Sequence, residues 1–78
     1  MTTDTVARIR AQLRRHGARA VEIGYHEHTL RVAATDILLT DVLRIVAEYA
    51  PVARVTYGSS SRRGGVLVIL VLAQLAGP

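Results

Sequence analysis

Side chains that could do chemistry are few and scattered along this 78-residue chain. The richest cluster is Tyr25-His26-Glu27-His28. Two histidines at i, i+2 could share a metal on one strand, with His16 approaching from an upstream helix. A closed site needs about four ligands, or three and a water, and a turn at Glu27-His28 would separate the pair. Exposed polar residues at a hairpin tip are the simpler reading, so neither a metal nor a cofactor is expected. There is no cysteine, which removes thiol catalysis, thiolate metal sites and disulfides together. Ser59 to Ser61 fall in a polar loop without a strained nucleophile elbow. Gly58, Gly64 and Gly65 lack the lysine and the spacing of a phosphate-binding loop. No carboxylate pair shares an obvious pocket. The expectation is a non-enzymatic protein.

Charge is more informative. All ten basic residues are arginine, and Arg8, Arg10, Arg14, Arg15 and Arg19 oppose only Asp4 in residues 1–19, so the whole net charge of +4 belongs to the first element and the residues just after it. Arg8 and Arg15, with Arg62 and Arg63 on the loop, form a candidate nucleic-acid-binding set by phosphate contact. The chain has only three aromatic residues, all tyrosine, and no interleaving of basic and aromatic residues for stacking single strands. A solvated helix face is the plainer account. Membrane-surface binding by the same helix would have only Val6, Ile9 and Leu13 as its apolar side.

These residues must be positioned by short elements. Thr3 to His16 reads as an amphipathic helix, with Val6, Ile9 and Leu13 at helical spacing, Thr3 or Asp4 as cap and Gly17 as terminator. Ala20 to Ala34 reads as a hairpin. A two-residue turn at Glu27-His28 pairs Tyr25 with Leu30, Ile23 with Val32 and Val21 with Ala34, all on one face. Glu-His is poor chemistry for such a turn, so a longer loop is the competing reading. Thr35 or Asp36 starts a second helix running to about Ala50 and stopped by Pro51, with Leu39, Val42, Leu43, Val46 and Tyr49 as its buried stripe. Asp41, Arg44 and Glu48 stay in water, Arg44 and Glu48 at i, i+4 spacing. Val52 to Tyr57 is a third strand, residues 58–65 a loop, Val66 to Ala73 a fourth strand and residues 74–78 a tail. The order αββαββ predicts a single α+β domain over 1–78: a four-stranded sheet with both helices on one face.

The fourth strand is the main structural clue. The last fifteen residues carry no charged side chain, and Val66 to Gln74 reads V-L-V-I-L-V-L-A-Q. Whichever way the strand faces, either Val66, Val68, Leu70 and Leu72 or Leu67, Ile69 and Val71 point away from the helices. Four such side chains left wet forfeit roughly 6–12 kcal/mol, comparable to the stability of a small domain. Sheets packing face to face, fourth strands pairing edge to edge, or the tail folding back could supply the cover. A central strand that only looks two-sided is the bland alternative. Val66, Val68, Ile69, Leu70 and Leu72 are therefore the candidate interface of a small interaction protein that self-associates through its sheet, as a dimer or with another protein, with arginine-mediated nucleic-acid binding as the alternative. The apolar run is shorter than the roughly 20 residues of a membrane-spanning helix. The N-terminus M-T-T-D-T has no basic segment leading into an apolar stretch. A cytoplasmic protein is the expectation.

The stretch Thr35 to Tyr57, T-D-I-L-L-T-D-V-L-R-I-V-A-E-Y-A-P-V-A-R-V-T-Y, resembles the second half of a BON domain, in which a helix leads through a short turn into a V-x-x-V strand, here Val52 to Val55. The helix and hairpin of residues 4–34 stand in the matching order. Glu27-His28 and Ala33-Ala34 stand where that family has glycines. The resemblance implies a binding module without catalysis, in a family whose members are mostly exported or membrane-associated, some with phospholipid or peptidoglycan partners.

Overall fold

The structure, a computed structural model, describes residues 2–59 and 64–73. Its elements are α1 (Thr3–Arg15), β1 (Val21–His26), β2 (Thr29–Thr35), α2 (Leu39–Tyr49), β3 (Val52–Ser59) and β4 (Gly65–Leu72). They form an α+β fold with one antiparallel sheet in the order β1-β2-β4-β3, against which the helices lie.

The Thr2 hydroxyl caps α1, accepting the Thr5 N–H at 3.2 Å, so the cap falls one residue before Thr3 and two before Asp4. Ile9 and Leu13 are fully buried and Val6 half-buried. Gly17, at φ +100, reverses the chain out of the helix.

The hairpin has the register expected from alternation: Val21↔Ala34, Ile23↔Val32 and Tyr25↔Leu30. Glu27 and His28 make the two-residue turn, both in the left-handed region at φ 47 and φ 65. Tertiary contact pins that costly conformation, because the His28 carbonyl accepts the Leu72 N–H at 2.8 Å from the end of β4.

The start of α2 differs from expectation. Thr35 is the last residue of β2, and its hydroxyl accepts the Ala20 N–H at 3.1 Å, tying the sheet to the α1–β1 connection. Asp36 turns the chain at φ 62 and faces Arg19 at 3.8 Å. Both polar side chains are thus engaged elsewhere, and the helix begins at Leu39 with no side-chain cap. Its buried sector is wider than the predicted stripe, since Ile45 is buried together with Val42 and Val46. Arg44 pairs with Asp41 one turn back.

Strand β3 carries a bulge. Val52 faces Leu72 while Arg54 faces Val71, leaving Ala53 as the extra residue. The bulge brings Val52 and Val55, three apart in sequence, onto the core side, and leaves Ala53 exposed rather than on the Val55 face. Gly58, Ser59 and Gly65 belong to strands rather than to a 58–65 loop. The rest of that loop and the tail 74–78 lie outside the described residues apart from Gly64, whose carbonyl accepts the Asp36 N–H at 3.4 Å. The core between sheet and helices comprises Ile9, Leu13, Leu30, Val32, Val42, Ile45, Val46, Val68, Leu70 and smaller neighbours. Among the described residues no helix is long and apolar enough to cross a membrane.

Candidate interaction surface

Strand β4 lies between β2 and β3, hydrogen-bonded along both edges. Edge-to-edge pairing of fourth strands is therefore closed off, because no row of backbone donors and acceptors on β4 is left for another chain. Its two faces have different surroundings. Val68 and Leu70 are fully buried and Leu72 nearly so, all beneath the chain's own helices, with Val66 packed against the same core. Four of the five candidate interface positions are thus core residues. Ile69 alone points the other way, flanked along the strand by Leu67 and Val71. All three are half-buried.

Among the described residues no helix lies over the face bearing them, and cross-strand pairing assigns its surface row by row. One row runs Glu22, Ala33, Leu67, Gly58; the next Gly24, Arg31, Ile69, Thr56; the last His26, Thr29, Val71, Arg54. Lateral neighbours account for the partial cover: Ile69 stands between Arg31 and Thr56, and Val71 between Thr29 and Arg54. The aliphatic stems of the arginines can shield methyl groups while their guanidinium groups stay wet. Leu67 has only alanine and glycine beside it. Both outer strands place polar or small residues on this face, so the apolar surface is a single file along β4.

Gly24 is the second notable position. Its φ lies outside the left-handed region, its strand pairs without a bulge, and a Cβ added there would meet nothing within 4 Å. Neither backbone nor packing requires glycine. A strand-interior glycine costs up to about 1 kcal/mol in strand preference, and Gly24, like Gly58 on the same face, leaves open space that a second surface could enter. Two shallow depressions meet at Gly24 and Arg31, one reaching Glu22 and Ala33, the other Glu27 and Thr29. The carboxylates at the two ends offset the Arg31 charge, so the notch fits a neutral knob better than an anion.

The histidines do not converge. His16 ends α1 with Nδ1 2.9 Å from the Gln12 carbonyl, His26 closes β1 on the open face with Nε2 3.7 Å from Glu27, and His28 is in the turn. Among the described residues no group of three or more metal-binding side chains gathers. Arg8 and Arg15 are exposed on α1, on the far side of the molecule from the open sheet face; Arg62 and Arg63 lie outside the described residues. Sequence alone missed Gly24, and it could not separate Leu67 and Val71 from their core-facing neighbours. The signal for both is the pairing register, which identifies the open face. No protein-family model, curated protein or solved structure matches the chain.

Proposed function

We propose that this chain is a small non-enzymatic interaction module that self-associates by packing its open sheet face against the same face of a second copy. The observation that carries this is the file of Leu67, Ile69 and Val71 on a face that no helix covers among the described residues. Stacked sheets bury such files in the middle of a sandwich. Charge favours a like partner: Glu22 and Arg54 hold diagonally opposite corners of the face. A two-fold axis along the other diagonal sets each Glu22 near the second copy's Arg54, and crosses the two apolar files between Leu67 and Ile69.

Size sets the expected strength. Four strands about 4.8 Å apart and three rows about 6.8 Å apart cover roughly 400 Å² per chain, about 800 Å² in total, below the roughly 1,200 Å² of a stable interface and in the range of weak encounters. The dimer is accordingly a micromolar, concentration-dependent one. Sedimentation equilibrium across the micromolar range tests it: mass rising from monomer to dimer supports the reading, and a monomer at every concentration removes it.

A further inference from the structure

The surface of α1 that faces away from the sheet carries the chain's charge in an ordered form. At about 100° per residue, the buried Ile9 and Leu13 fix the inward direction. Ala7 and Ala11 then point outward as a low crest, both exposed. Arg10 and Arg14 line one flank of the crest, and Arg8 and Arg15 line the other; all are exposed except Arg10, which is half-buried. Only Arg8 is tied to an acid on the helix, Asp4 at 3.2 Å, and that pair is open to water and readily exchanged.

We propose that this surface binds the phosphate backbones of duplex DNA without reading base sequence. Two arginine rows astride an alanine crest match a groove with a phosphate strand on either side. An α-helix enters the major groove of B-form DNA, about 12 Å wide, and a crest of methyl groups lets the helix approach closely while side arms reach both strands. Arg8 and Arg15 are about 10 Å apart along the axis, and Arg10 and Arg14 about 6 Å, so each flank offers two successive contacts. An A-form duplex is too narrow in its major groove for the same fit. Single strands would need stacking platforms, and no aromatic residue lies on this helix. A lipid surface would need bulky apolar side chains on the exposed side, whereas Ile9 and Leu13 are fully buried in the core and the apolar side chains that face outward are alanines, beside the exposed carboxylate of Asp4.

The test is fluorescence anisotropy of a labelled, mixed-sequence duplex at two salt concentrations, with a thermal melt of each variant. Four phosphate contacts give a slope of log K on log salt of about −3.6, an affinity loss of about 150-fold between 50 and 200 mM. Arg14→Gln with Arg15→Gln should halve that slope, as should Arg8→Gln with Arg10→Gln. Arg44→Gln, on α2 and already paired with Asp41, should leave it unchanged. No duplex binding at the lower salt overturns the proposal, as does a wild-type slope in both α1 variants. A loss in Arg44→Gln equal, per charge removed, to that of the α1 variants shows that charge alone acts, and overturns it too. Binding phosphatidylserine vesicles as tightly as duplex at the same salt would make the surface a membrane one. None of these outcomes depends on self-association, which the sedimentation measurement tests on the wild-type chain.

Discussion

A carboxylate placed on either face of β4 separates core from interface, because adjacent positions have opposite surroundings. Val68 is fully buried beneath the helices. In Val68→Asp the chain loses about 2 kcal/mol of burial and gains an unpaired buried carboxylate costing several more. That exceeds what a small domain at the low end of the usual 5–15 kcal/mol can lose, so the variant should be unfolded by circular dichroism at room temperature. Ile69 is half-buried on the open face, between Arg31 and Thr56. Ile69→Asp should fold, with stability reduced by about 1 kcal/mol from lost burial and lower strand preference. Its effect on association is larger. Leu67, Ile69 and Val71 each have about half of their 1.5–3 kcal/mol still to gain, about 2–4 kcal/mol per chain and twice that per dimer. The substitution removes a third of that gain and desolvates a carboxylate in each copy, at least about 3 kcal/mol together, so the dissociation constant should rise by 100-fold or more. The assay is sedimentation equilibrium of the folded variant beside the wild type. A folded Ile69→Asp that associates like the wild type would refute the open face as the interface, and a folded Val68→Asp would refute the assignment of faces.

Three further substitutions test the local geometry. Glu27→Asn with His28→Gly supplies the residues that a turn with two positive φ values favours, so stability should rise by about 1–2 kcal/mol. A melting temperature unchanged or lowered would mean the turn is not of that type. Gly17→Ala places a Cβ 3.6 Å from the Asp36 carbonyl, an ordinary contact, so its cost is backbone strain at φ +100, about 1 kcal/mol. The melting temperature should fall by about 4–8 °C, and no change would refute the left-handed terminator. Gly24→Val fits its strand without a clash and should raise chain stability by about 1 kcal/mol while weakening self-association, because the side chain fills the notch beside Arg31. A rise in stability with unchanged association would show that no partner enters the notch.

The hairpin register was legible because Val21, Ile23 and Tyr25 alternate with polar or small residues, and a one-residue slip would turn all of them outward. Glu27-His28 was the exception, as neither residue advertises a left-handed conformation; the hydrogen bond from Leu72 that helps hold it comes from a strand more than forty residues later. The start of α2 misled for a similar reason. Thr35 and Asp36 have capping chemistry, but long-range partners, Ala20 and Arg19, take it up. Strand β4 was recognisable as a strand, yet its orientation was not, because both of its faces are aliphatic. Only its place between β2 and β3, set by cross-strand partners, assigns Val68 inward and Ile69 outward. A strand paired on both edges tends to be apolar throughout, which explains much of the run, and the central position removes the edge-pairing route to association.

Central placement alone does not account for the outer file. Central strands of parallel sheets are apolar on both faces because both faces are covered, whereas an antiparallel sheet covered on one side normally alternates. Here β2 obeys the second rule, with Leu30, Val32 and Ala34 buried and Arg31 exposed, and β4 beside it breaks the rule. The departure is confined to one strand, and its neighbours supply two arginines and two threonines on either side of it. That pattern keeps a lone chain tolerable in water while leaving a narrow surface that gains from cover. The molecule is thus divided: its excess charge is concentrated on α1, and the half-covered file of Leu67, Ile69 and Val71 lies on the far side of the sheet, while the exposed Tyr57 and Leu38 lie off that face. Packing two copies through the sheet faces would place both α1 surfaces outward, as far apart as the dimer allows. Self-association and polyanion binding would then use opposite sides of the chain, and neither would compete with the other for residues.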